Sequence, residues 1–233
     1  MKHYFFESAI VAVGLALLGL FVYMGIASFA ARDRVVSVRG LAEREVQADH
    51  VIWPIVYKTT GSDLQQIYAS LNRTSAEIRS FLEKEGLPAS DISDGVPQIV
   101  DLWADRYASS EAVARDRYNV TLTLTVSSAK VDLVRSLISR MGELLKQGIA
   151  ISASDYGSQV EFEFTSLNKI KPQMIEEATK NAREAAEKFA ADSGSKLGEI
   201  KSAEQGYFSI ENRDQYTPHI KKVRVVTSVD FYL

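Results

Sequence analysis

Three histidines, His3, His50 and His219, are the residues from which a metal centre would first be built. A catalytic or structural metal needs three or four donors converging on one point. These three lie far apart in the chain and in different kinds of element. A His50–His219 meeting across a sheet is the one juxtaposition to consider; the expectation is two ordinary rim histidines and no metal. Nucleophilic hydrolysis fares no better. No G-x-S-x-G elbow is present, and serines fall at helix caps and strand ends. Ser62, with Gln65 three residues on, reads as a capping box, and Ser193 as part of a helix stop. The paired carboxylates are Glu43 with Glu45, Glu161 with Glu163, and Asp101 with Asp105. The first two pairs share one strand face each, whereas a glycosidase pair normally comes from separate elements across a cleft. A solvated strand face is the expectation. The chain has no cysteine, which removes thiol nucleophiles, iron–sulfur clusters and thiolate zinc together. No catalytic residue, cofactor or metal is therefore expected, and the chain is not expected to be an enzyme.

Residues suited to contact are easier to find. In DLWADRYASSEAVARDRY, charges and aromatics interleave without a clean period. The stretch reads as strand ends around a hairpin loop, the kind of segment on which recognition often resides. Near the C-terminus, Lys221, Lys222 and Arg224 form a small basic cluster. On a strand, Lys222 and Arg224 point the same way; such charges also guard edges against stray pairing. The candidate interaction surface is Trp103, Arg106 and Tyr107 with Lys222 and Arg224. Trp53 is expected in the core.

These residues need a framework. The chain has 233 residues with a net charge of −3. That length supports a substantial core, and the absence of a basic excess disfavours a nucleic-acid partner. From Ser8 to Ala31 there is no charge at all. About 24 helical residues at 1.5 Å each rise about 36 Å, enough for a ~30 Å hydrocarbon core. The expectation is a signal anchor over residues 5–31, in contact with inner-membrane lipid, and a water-facing domain over residues 32–233. Ser28-Phe29-Ala30 resembles a cleavage site, but a secretory signal's apolar core is shorter, about 7–15 residues. Arg32, Arg34, Arg39 and Arg44 follow the segment while Lys2 precedes it, so a positive-inside count places the large part in the cytoplasm.

Beyond the leader, VVSVRGLAEREVQADHVIWPIVYKTT reads as two strands, with Gly40 interrupting the first and Pro54 objecting to a central place for the second. SDLQQIYASLNRTSAEIRSFLEKEG is a helix with Leu64, Ile67, Tyr68, Leu71, Ile78, Phe81 and Leu82 on one face. VPQIVDLWADRY is a strand. RYNVTLTLTVSS is a strand with Tyr118, Val120, Leu122, Leu124 and Val126 inward. VDLVRSLISRMGELLKQG is a helix striped by Val131, Val134, Ile138, Met141 and Leu145. VEFEFTS is a strand. A long helix from near Asn168 to Ser193 buries Leu167, Ile170, Met174, Ala178, Ala182, Ala185 and Phe189, carries Glu176–Lys180, Arg183–Glu187 and Glu184–Lys188 pairs outside, and stops at Gly194. Two strands finish the chain, one near Gly206–Ile210 and one with Val223, Val225, Val229 and Phe231 inward. Hairpin-like strand pairs between single helices predict an α+β fold: antiparallel sheets packed with three amphipathic helices, after one N-terminal transmembrane helix.

EEATKNAREAAEKFAADSGSKLGEIKSAEQGYFSI resembles the C-terminal half of the SIMPL-domain family: alanine-rich helix, Gly194 stop, Lys196-Leu197-Gly198 turn and strand. VSVRGLAEREVQADHV and LNRTSAEIRSFLEKEGLPASDI resemble its opening strands and first helix, so the likeness runs from Val35 to Leu233. Ala48-Asp49 stands where the family often has Pro-Asp. The resemblance implies an exported, bacterial cell-envelope α+β domain that self-associates, with relatives described as oxidative-stress defence proteins and no agreed catalytic residues. It sets the expected orientation, with the C-terminal domain in the periplasm and the chain single-pass in the inner membrane. The leading expectation is a homo-oligomeric scaffold or interaction module linked to stress tolerance. The alternative is a binding module for a small hydrophobic or anionic envelope ligand, and a hydrolase without a recognisable motif is third.

Overall fold

The computed structural model describes residues 2–31, 34–104, 116–146, 148–152 and 157–233. In chain order the elements are α1 (Lys2–Ala31), β1 (Val35–Gln47), β2 (His50–Gly61), α2 (Leu64–Lys84), a 3-10 turn (Ala89–Asp91), β3 (Ile92–Asp94), β4 (Gln98–Asp101), β5 (Tyr118–Ser128), α3 (Val131–Ser139), α4 (Gly142–Lys146), β6 (Ile151–Ser152), β7 (Glu161–Glu163), α5 (Leu167–Asp192), β8 (Ile200–Gln205), β9 (Ser209–Asn212) and β10 (Ile220–Tyr232). The fold is mixed α+β with antiparallel sheets. Two compact units divide the chain. The first comprises Met1–Arg44, Asn168–Ser209 and Val223–Leu233; the second comprises Glu45–Leu167 and Ile210–Lys222.

The second unit is built on a sheet ordered β3-β5-β2-β6, in which β4 also pairs with β5 and β7 with β2. β2 and β5 pair along their whole lengths, from Val51 opposite Ser128 to Gly61 opposite Tyr118. The alternation in β5 comes out as read: Val120, Leu122, Leu124 and Val126 are buried. Pro54 is accommodated in a central strand. It faces Thr125 of β5, while on the other side β7 pairs only with residues 50–52 and β6 only with 56–57. Residue 54 thus falls between the two short strands, where no partner needs its missing N–H. Ile67, Leu71, Ile78, Phe81 and Leu82 of α2 close the core over Val51, Trp53, Ile55 and Tyr57.

The cap of α2 differs from the sequence reading. Asp63, not Ser62, is the N-cap, and its carboxylate accepts from the Gln65 and Gln66 N–H groups at 2.8 and 3.3 Å. A carboxylate at the helix start also meets the positive end of the dipole. The single helix expected over VDLVRSLISRMGELLKQG is two. At the junction the backbone tightens to three-residue bonds, Arg140 N–H to Leu137 C=O and Glu143 N–H to Arg140 C=O. The tightening shifts the helical phase, so Leu144 is buried and Leu145 is exposed. Arg140 fixes the junction by bridging Glu85, at the end of α2, and Glu143, at 2.6 and 2.9 Å.

In the first unit, β10 is paired with β1, β8 and β9. Leu233 N–H bonds the Arg34 carbonyl, beside the start of β1 and the end of β10, so the two strands run antiparallel. Gly40 does not interrupt β1; the strand runs through it. The buried face of α5 is Met174, Ala178, Ala182, Ala186 and Ala190, a strict four-residue repeat. Phe189, expected inward, is 61 % exposed. Alanine at four of these five positions brings the helix close to the sheet, which leaves no room for a phenyl ring there. Outside, Lys180 pairs with Glu184 at 3.9 Å. Gly194, at φ +69°, ends the helix as expected. The strand expected near Gly206–Ile210 is two, β8 and β9, on either side of Gly206.

α1 is one continuous helix, and from Ile10 to Ile26 it has no polar face. Its large apolar side chains from Ile10 to Ile26 are all at least half exposed. That described stretch alone rises about 26 Å, and among the described residues no helix is long and apolar enough to cross a membrane.

Candidate interaction surface

Trp103 lies in the turn that follows β4, 61 % exposed. Its N–H donates to the Asp101 carboxylate at 3.0 Å. The other Asp101 oxygen takes two bonds from the Arg117 guanidinium, at 2.8 and 3.1 Å, and that guanidinium lies over the rings of both Trp103 (5.1 Å) and Tyr118 (4.9 Å). Hydrogen bonding from Arg117 holds the Asp101 carboxyl below its ordinary range. Trp103 is thus an exposed aromatic set in place by a cation beneath it. Arg106 and Tyr107, grouped with it on sequence grounds, lie outside the described residues, as does Asp105.

At the C-terminus the alternation of β10 separates the basic cluster. Lys222 and Arg224 are on the exposed face, and Arg224 pairs with Glu43 at 3.5 Å. Lys221 points inward and is buried. Its ammonium donates to Asn212 Oδ1, and burial pushes its pKa down. The three therefore do not make one basic patch.

His50 and His219 have separate partners. His50 bonds Ser127 Oγ at 2.9 Å, and His219 packs edge-on against Phe162. Among the described residues no group of three or more metal-binding side chains comes together. His219 borders a hollow of about 330 Å³ with Gln47, Lys130 and Asp132. Burial lowers its pKa, and the Arg135 and Arg213 charges lower it further. The Glu43 and Glu45 pair serves ion pairs: Glu45 meets Arg213 at 3.5 Å, and Glu43 meets Arg224. Asp49 ties down the start of α5. It accepts from the Thr165 N–H at 2.6 Å and from the Ser166 N–H at 2.9 Å. Its partial burial opposes ionisation, but the bonds from Ser166 and Thr165 win and hold its carboxyl below the usual range.

One feature was not identified from the sequence. Leu64, Ile67, Tyr68 and Leu71 of α2 form one wall of an apolar groove of about 360 Å³; Pro97, Ile99 and Val120 form the other. Leu64 and Tyr68 belong to the apolar face of α2, yet they are 42 and 62 % exposed, and Ile99 is 56 % exposed. The signal was present in the width of the α2 stripe, which exceeds what the sheet covers.

The family comparison fits this architecture. The family model SIMPL, described as a protein of unknown function (DUF541), matches residues 36–229. The chain belongs to the SIMPL family. No curated protein matches it. Within this SIMPL chain the match starts after α1 and ends two residues short of Phe231, so it takes in the whole second unit, with the groove, and part of the first.

Proposed function

We propose that the chain is a membrane-anchored, non-enzymatic interaction module of the cell envelope. α1 and its flanking apolar residues tether it to the inner membrane, and the rest works in the periplasm as a self-assembling scaffold linked to stress tolerance. The observation that carries the anchor is the side-chain distribution on α1. From Ile10 to Ile26 its large residues are apolar on every side and none is covered by protein. A helix apolar all round belongs in a protein core or in lipid. The uncharged run continues in the sequence from Ser8 to Ala31, about 36 Å of helix. The exported side rests on the resemblance to envelope proteins, against the arginines that follow the segment.

The apolar groove favours a second role beside assembly: binding of a partner or ligand by the second unit. Its walls are apolar side chains of α2, β4 and β5 with Pro97, and Leu64, Tyr68 and Ile99 are open to solvent.

Two measurements test the reading. Membranes carrying the full chain are washed with alkaline carbonate; the protein is expected to stay with the lipid and to be released when residues 1–33 are deleted. Light scattering of the detergent-solubilised full chain is expected to give a multimer. Loss of the full chain in the wash sinks the anchor, and a monomer sinks the scaffold.

A further inference from the structure

We infer that the groove between α2 and β4 receives an extended polypeptide segment of another protein as an added strand, with an apolar side chain in the groove and a lysine or arginine two positions along. This deepens the interaction-module reading and rests on it.

The edge of β4 carries the inference. β4 pairs with β5 alone, Gln98 opposite Thr121 through Asp101 opposite Tyr118. The next bond along this edge, Leu102 N–H to the Arg117 carbonyl at 2.8 Å, shows that even-numbered residues turn their backbone groups toward β5. In an antiparallel ladder the alternate residues face the other way. The N–H and C=O of Ile99 therefore point to the open edge, and among the described residues no strand takes them. The Ile99 side chain lines the groove, and α2 stands as its far wall. An open edge beside an apolar trough bounded by a helix suits an added strand: main-chain bonds give affinity and alternate side chains enter the trough. An alkyl ligand would fill the trough and leave the edge unused.

Charge selects the segment. Gly61, Tyr118 and Asp101 stand in register across β2, β5 and β4, so the ends of these strands form one rim. Asp101 belongs to it. Asp116 joins it, bonded by Thr60 Oγ1 at 2.7 Å, and so does Asp63, the residue before Leu64. Arg117 is the cation described beside them, and Asp101 already pairs with it. Lys58 stands opposite Thr121, on the other face of the sheet from Tyr57. Among the described residues the rim is acidic on balance. Side chains two apart on a strand share a face, so a basic residue two positions from the groove-filling one meets this rim.

The probe is a fluorescein-labelled heptapeptide, Lys-Thr-Val-Thr-Val-Thr-Lys, whose palindromic pattern suits either strand direction. Its binding to the full chain in detergent is read by fluorescence polarisation. Saturable binding is expected. It should weaken about tenfold or more with Ile99→Pro, which removes the outward N–H, with Tyr68→Glu, which puts a charge in the groove, and when glutamate replaces both peptide lysines. Tyr68 is exposed, so that variant keeps the fold, checked by circular dichroism. Absence of saturable binding, equal binding by the glutamate peptide, or equal binding after Tyr68→Glu overturns the inference. So does an outcome in which the apolar dye N-phenyl-1-naphthylamine binds in a Tyr68-dependent way and the peptide does not; the groove would then be a site for small apolar ligands. Each negative result leaves anchoring and assembly, read by carbonate washing and light scattering, standing or falling separately.

Discussion

A methyl group placed on Gly40 would come within 1.8 Å of the Ala178 carbonyl oxygen and 2.5 Å of the Ala182 N–H. Strand β1 and helix α5 touch backbone to backbone at this point. Neither side has a flexible side chain that could move aside. Gly40→Ala should therefore destabilise by about 3 kcal/mol or more, as overpacking of a rigid contact does. Urea unfolding followed by circular dichroism measures it. Gly194→Ala, which only forces a left-handed backbone onto a residue with a Cβ, should cost about 1–2 kcal/mol. Equal costs at the two positions would show that the β1–α5 contact is looser than described.

Asp49 should matter out of proportion to its exposure. It binds the Thr165 and Ser166 backbone where the chain enters α5. Asp49→Ala leaves those donors without it and should cost about 1–2 kcal/mol. Its folded pKa is depressed, so its contribution is complete above the ordinary carboxyl pKa and is lost as pH falls through the lower, folded value. Asp49→Asn should flatten that part of the acid-unfolding curve. An unchanged acid limb would show that other carboxylates govern it.

His219 should give a dependence of the same sign in a higher pH window. Burial and the facing Arg135 and Arg213 charges disfavour its protonation, with Asp132 and Asp214 only partly offsetting them. The unfolded chain takes up the proton first as pH falls below about 6.5. Stability is therefore fully present above that pH and declines as pH falls toward the folded value, below which the dependence ends. His219→Gln should remove this slope while leaving the Asp49 limb in place. Thermal unfolding across pH 5–8 measures it, and a slope that survives the substitution would assign it elsewhere.

Much of this architecture was legible in the residues, and the misreadings have physical causes. β5 alternates from Val120 to Ser128 because one face meets the core. The α5 stripe was read correctly at Met174, Ala178 and Ala182; Leu167, Ile170 and Ala185 are half-buried, and Phe189 is exposed. A large aromatic looks like core, but backbone-close packing admits only alanine at Ala186 and Ala190. The break at Arg140 depends on Glu85, 55 residues away, and no local periodicity carries that bond. Pro54 looked like an edge residue because two short strands sharing one side of β2 cannot be inferred from β2 itself. The groove depends on α2 and β4 lying side by side. The two contact clusters were legible only as composition: Trp103 is fixed by Arg117, which was passed over, and Lys221 turns away from Lys222.

The claim on which the functional account rests is that the segment from Ser8 to Ala31 stays in lipid while everything after it works outside the cytoplasm. A dual reporter fused after Leu233, active in one form only in the periplasm and in the other only in the cytosol, tests this in a single experiment. The account predicts periplasmic activity that sediments with membranes. Cytosolic activity, or a soluble product whose N-terminus lies near Ala31, would contradict it.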